Sequence, residues 1–153
     1  MDAESKKREL EAKNQIADGF MFKIKDIMCK KVVTAKESTT IYEGLKLLDD
    51  RHVGSCVITD DENRCIGIFT ERDAIRAVAQ KMNLEEPLSK VMSTHVATIG
   101  LEASFDDAKI LLLSHRIRHL PVVDQEGKLI GLFSFRAFVD EVFGMKSTAQ
   151  TPT

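Results

Sequence analysis

From residue 24 onward, apolar residues alternate in short runs or recur at helical spacing, and the whole order then repeats. The first pass opens with an extended piece, Val32-Val33-Thr34, followed by Thr40 as a hydroxyl N-cap and a helix whose Leu45, Leu47 and Leu48 face a core. Two β-rich runs follow, Cys56-Val57-Ile58-Thr59 and Cys65-Ile66-Gly67-Ile68-Phe69, joined by the polar turn Asp60-Asp61-Glu62-Asn63. An amphipathic helix from Thr70 through Ala79, with Ile75 and Val78 expected inward, closes the unit. The second pass matches it. Val96-Ala97-Thr98, the cap Ser104, Ala108, Leu111 and Leu112 precede a hairpin of Leu120-Pro121-Val122-Val123 and Leu129-Ile130-Gly131-Leu132-Phe133 around Asp124-Gln125-Glu126-Gly127. A helix from Ser134 through Phe143 then turns Phe138, Val139 and Val142 inward. Each unit is β-α-β-β-α, which predicts an α/β chain of the α+β kind.

An offset of 64 aligns residues 24–80 with 88–144 without a gap. Twelve positions are identical, among them Met28/Met92, Gly67/Gly131, Phe69/Phe133 and Arg72/Arg136, where unrelated segments of that length would share about 3 or 4. Two copies suggest a pseudo-twofold pair and not an open solenoid. The expected organisation is a lead-in helix over 1–20, repeats over 21–82 and 83–145, and a disordered tail over 146–153.

Composition narrows the function classes. The chain has 153 residues, 43% of them hydrophobic, and its 22 Lys and Arg nearly balance 24 Asp and Glu for a net charge of −2. Bulk charge therefore calls for no polyanion. No apolar run approaches the ~20 residues that cross a bilayer, so the expected location is the cytoplasm. Cys29, Cys56 and Cys65 sit in apolar contexts without metal-ligand spacing, as reduced structural thiols. No nucleophile–base order, P-loop or Rossmann glycine pattern is present, so no enzyme activity, metal or cofactor is expected.

The duplication carries further marks. Asp26-Ile27-Met28 and Lys90-Val91-Met92 open the repeats, Leu120-Pro121-Val122-Val123-Asp124 forms one hairpin strand, and Gly67-Ile68-Phe69-Thr70-Glu71-Arg72-Asp73 leaves the other. Together they resemble the paired CBS (cystathionine-β-synthase) domains of the Bateman module, over about residues 24–144. The resemblance implies two repeats packed sheet against sheet, leaving two clefts into which adenosine ligands dock. It implies a ribose contact from Asp73, a hydroxyl contact from Thr70 near the phosphate side, phosphate contacts from Arg118 and His119 with Arg136 at the far wall, and an adenine slot of Ile68, Val96, Ala97 and Ile117. A fixed carboxylate suits a cis-diol, and helix N-terminal N–H groups beside Thr70 suit an anion. Thr70-x-x-Asp73 also reads as a capping box, and one side chain could serve both roles.

In the second copy Ala137 replaces the acid. The pseudo-equivalent cleft, assembled from Val32, Val33, Val53, Gly54, Ser55, Ser134 and Ala137 with Arg72 as its cation, should be poor or empty. If residues 115–119 enter their strand extended, Arg116 and Arg118 share one face, with Ile117 and His119 on the other. His52 and His95 carry no partner pattern and read as surface residues.

The expected function is a regulatory module that binds AMP, or ADP or ATP, senses energy state and signals to a partner protein. Homodimers are expected through helix faces bearing Phe138, Val142, Phe143 and Met145, or Ile75 and Val78. The alternatives are a ligand-free interaction scaffold, an S-adenosylmethionine binder disfavoured by the cations around Arg118, or a nucleic-acid binder disfavoured by near-neutral charge.

Overall fold

The helices of the two repeats start on the caps that the hydroxyl positions supply. In this computed structural model, which describes residues 2–17 and 22–143, α1 spans Ala3–Ala17, α2 Ile24–Ile27, α3 Ile41–Arg51, α4 Glu71–Ala79, α5 Phe105–His115 and α6 Phe135–Phe143. Thr40 with Glu43, Thr70 with Asp73 and Ser104 with Asp107 form reciprocal capping boxes. At α6 Ser134 Oγ accepts from the Ala137 N–H at 3.2 Å, and no acid stands at the third position to answer it. α1 is an exposed helix carrying Glu4–Arg8 and Glu9–Lys13 ion pairs, and it lies against α6.

The first repeat holds a three-stranded sheet in the order β1-β2-β3, from Thr34–Ala35, Ser55–Thr59 and Cys65–Thr70. β1 runs parallel to β2, and β2 antiparallel to β3. The second repeat pairs β4, His119–Val123, with β5, Leu129–Ser134, while the counterpart of β1 is reduced to one parallel bridge between Ile99 and Val122. The extended piece expected at 32–34 thus pairs at Thr34 and Ala35, and the one expected at 96–98 pairs just beyond it, at Ile99. In both hairpins an aspartate, Asp60 or Asp124, accepts from the backbone N–H groups two and four residues on. A residue at positive φ, Asn63 or Gly127, then lets the turn close, and the register shifts beside it.

Neither repeat closes its own core. Residues 22–29 open the first copy but pack on the second: Ile24 N–H donates to Ala103 O, Lys25 N–H to Leu101 O, and Cys29 exchanges backbone bonds with Leu132. The opening of the second copy crosses back. Leu88 N–H donates to Thr39 O, Ile41 N–H to Glu86 O, and Ser93 exchanges bonds with Ile68. One core accordingly joins Ile24 and Ile27 to Phe105, Phe133 and Phe138, and the other joins Leu88 and Val91 to Ile41, Ile58 and Phe69. Where the repeats meet, Arg64 bridges Lys128, its equivalent at the offset of 64, with Val57, Leu129 and Leu132 buried alongside. The fold is a pseudo-twofold α+β pair.

Two expected faces need correction. Ile75 and Val78 point outward at 71% and 57% exposure, because α4 buries Asp73 and Ala77, which lie on the opposite side of the helix. Phe138 is fully buried, in a ring stack with Phe105 at 4.6 Å, and so offers no interface. The side chains of Val142 and Phe143, all of Met145 and the tail over 146–153 lie outside the described residues.

The crossing segments need glycine beneath them. A Cβ on Gly131 would stand 2.5 Å from Met28 Sδ and 3.1 Å from Cys29 O, and one on Gly67 would stand 2.8 Å from Met92 Sδ and 3.1 Å from Ser93 O. Gly131→Val should therefore cost about 1–3 kcal/mol, seen as a lower urea midpoint, because backbone as well as a flexible side chain must give way.

Candidate functional site

The N-terminus of α4 faces the end of α5 across the boundary between the repeats. Between them lies a cavity of about 320 Å³. From the first repeat it takes Gly54, Ile68, Thr70, Glu71, Arg72, Asp73 and Arg76, and from the second Ser93, His95, Val96, Ala97 and residues Arg116 through His119. Ile68, Thr70, Asp73, Val96, Ala97, Ile117, Arg118 and His119, eight positions expected to share a cleft, do line one cavity.

Asp73 is buried to 6% exposure and fully engaged. Its Oδ2 accepts from the Thr70 N–H at 2.9 Å and the Thr70 hydroxyl at 3.1 Å, and its Oδ1 accepts from Arg76 Nη2 at 2.8 Å. The capping role read from the sequence is thus present, with a cavity beside it. Arg76, half exposed, is the one member of the set outside the capping box.

Residues 115–118 are not extended. His115 is the last helical residue, and Arg116 takes φ 53° as a left-handed C-cap whose N–H reaches Leu112 O and Leu113 O. The chain reverses there before β4 begins at His119, so alternation does not apply. Arg116, Ile117, Arg118 and His119 all reach the same cavity instead of dividing between two faces.

The two arginines after the caps are also placed differently from the sequence reading. Arg72 lines the first cavity beside its own Thr70, while Arg136 lines an adjoining cavity of about 600 Å³ beside its own Ser134. Each follows its own helix N-terminus, so the expected crossing does not occur. Of the rest of the expected second cleft, Ser134 lines that adjoining cavity and Gly54 lines both, whereas Val32, Val33, Val53, Ser55 and Ala137 line neither. Val53 and Ser55 are buried at the start of β2, and Ser55 Oγ has no hydrogen-bond partner. His95, exposed as expected, nonetheless lines the first cavity.

His119 lies across Gly54. A Cβ at Gly54 would stand 3.4 Å from the ring, in van der Waals contact with it. Burial pushes the His119 imidazole below its ordinary value, Arg118 adds to that push, and Glu71 opposes it. Arg72, Arg76, Arg116 and Arg118 outnumber Glu71 and Asp73 around the cavity, which gives it a field suited to an anion. The thiols lie elsewhere: all three are free, and burial raises Cys56 to about 12, which keeps it unreactive. Among the described residues no His, Cys, Asp and Glu cluster could hold a metal, and no helix is long and apolar enough to cross a membrane.

The CBS domain profile matches residues 24–80 and 88–144. The chain belongs to the CBS domain family. It is 35% identical over 113 residues to the CBS domain-containing protein YhcV of Bacillus subtilis, covering 73% of this chain and 79% of that one. It also resembles the CBS domain protein PAE2072 of Pyrobaculum aerophilum complexed with AMP, at TM-score 0.72 and 27% identity, over 79% of this chain and 98% of that one. The CBS domain pair of MJ0100, in complex with 5′-methylthioadenosine and S-adenosyl-L-methionine, matches at TM-score 0.73 and 26% identity, over 82% and 98%. In a CBS pair the cavity described above lies at the boundary that both repeats build.

His119 supplies a stability test. The unfolded chain takes up a proton near the ordinary histidine value of 6.5, while the folded state resists it to lower pH. Folding is therefore unaffected by this group above that value and loses stability as pH falls below it. Between pH 7.5 and 5, the urea midpoint of wild type should fall further than that of His119→Gln.

Proposed function

We propose that this CBS pair is a regulatory module that binds one adenine nucleotide per chain, AMP foremost, in the cavity between its repeats. One observation carries the reading: a buried carboxylate, Asp73, stands in the wall of a cavity where four arginines outnumber the acids, with apolar residues of both repeats in the same lining. The ribose diol takes Asp73 Oδ1 from Arg76, and the adenine lies against Ile68, Val96, Ala97 and Ile117. The phosphate meets Arg118 and His119, with Arg72 and Arg116 on the same cavity. The AMP complex of PAE2072 supports this reading. The ligands of the MJ0100 pair support an adenosyl group in general, but a sulfonium among these arginines would meet like charge.

As a regulator the module reports nucleotide occupancy to another protein, because a ligand bound by both repeats favours one relative placement of them over another. The exposed Ile75 and Val78 on α4 supply an apolar face for pairing with a second copy.

Calorimetric titration with AMP should give about one site per chain, and Asp73→Ala should abolish it in protein shown by circular dichroism to be folded. Because Asp73 also caps α4, a ligand arm is decisive: 2′,3′-dideoxy-AMP should bind wild type far more weakly than AMP. Arg76→Ala should tighten adenosine roughly two- to fivefold, the scale of an exposed ion pair removed from competition. Equal affinity for AMP and the dideoxy compound would remove the ribose role from Asp73.

Phosphate beside His119 favours the protonated ring that burial disfavours in the free protein. AMP should therefore bind more tightly as pH falls from 8 to 6, with net proton uptake. The observed binding enthalpy at pH 7 should then vary with the ionisation enthalpy of the buffer, and His119→Gln should remove most of that variation.

A further inference from the structure

The nucleotide cavity does not end at His119. The adjoining cavity, about 600 Å³, shares Gly54, Glu71, Ile117, Arg118 and His119 with it, so the two lie side by side along these residues. The chemistry changes beyond that junction. Lys109 and Arg136 bring two more cations, and Leu112, Leu113 and Phe135 bring apolar surface. Leu113 is 72% exposed and Phe135 49%, although both border a cavity.

This apolar surface is not a general property of the repeat. At the offset of 64 the counterparts of Leu113 and Phe135 are Asp49 and Glu71, and that of Arg118 is Gly54. The second repeat alone combines a half-exposed aromatic ring, an exposed leucine and cations on one wall, and it does so only where that wall continues the nucleotide cavity.

We propose that the two adjoining cavities together hold a two-part ligand: an adenosine diphosphate whose second phosphate carries, through a sugar, a flat ring. This rests on the adenine-nucleotide reading of the first cavity. The adenosine half lies as proposed above. The diphosphate passes the junction on the Arg118 and Arg136 side, away from the Glu71 carboxylate, and the second half lies on Phe135 and Leu113. A ligand ending at the first phosphate leaves this wall in water; one built like a dinucleotide covers it, and an aromatic ring gains stacking on Phe135 as well.

The test is calorimetry on the full chain with AMP, ADP and NADH, using wild type, Phe135→Ala and Arg136→Ala. NADH should bind at least about tenfold more tightly than ADP. Phe135→Ala should remove that excess while leaving AMP and ADP unchanged, and Arg136→Ala should weaken ADP and NADH but not AMP. If AMP binds and NADH gains nothing over ADP, the two-part ligand is wrong while the nucleotide reading stands. If none of the three binds, both fall. Sedimentation of Phe135→Ala supplies a further check: a loss of self-association with the NADH excess intact would assign Phe135 to a second copy of the chain and overturn the proposal.

Discussion

The structure depends on an exchange of openings. Ile24 and Ile27 belong by sequence to the first repeat and by packing to the second, and Leu88 and Val91 reverse that assignment. The pairs of backbone bonds between Cys29 and Leu132 and between Ser93 and Ile68 fix each crossing segment to the far repeat's last strand. Each last strand leads directly into a capped helix, α4 or α6. The position of Thr70 and Asp73 relative to Val96 and Ala97 is therefore set by the same segment that completes the first core, and the cavity is a by-product of the exchange.

Much of this was legible in the chain because it is local and stated twice. The offset of 64, the hydroxyl caps with their acids and the Asp-led turns are short-range patterns, and short-range patterns survive folding. The exchange was not legible: hydrophobic periodicity marks a segment as buried without naming the body that buries it. Ile75 and Val78 show the same limit from the other side. Their helical spacing is real, but α4 turns the small Ala77 and the capping Asp73 inward, so the larger apolar pair faces out.

The cavity residues divide in a similar way. Thr70, Asp73, Val96, Ala97 and Arg118 could be placed from motif position. Arg76 could have been found by the i, i+3 spacing of acid and base on a helix. Arg116 departs from an extended entry to the strand because a non-glycine residue at φ 53° carries no strong sequence mark, and the four residues from Arg116 to His119 line one cavity. Arg72 and Arg136 stayed beside their own caps because two residues of helix cannot carry a side chain across the pair. Gly54 stands out only once His119 is seen lying over it.

The exchange also has a consequence in time. Ile24 and Lys25 find their backbone partners in Ala103 and Leu101 and Cys29 finds its own in Leu132, roughly eighty to a hundred residues later, so the opening of the first repeat has no native surface to settle on until the second repeat is being synthesised. The first core, by contrast, is complete once residues up to Ser93 exist, since Leu88 and Val91 follow closely behind it. Emergence from the ribosome is thus ordered. The half that carries Thr70 and Asp73 can consolidate first, while Ile24 and Ile27 wait as an apolar segment for the strand that will cover them.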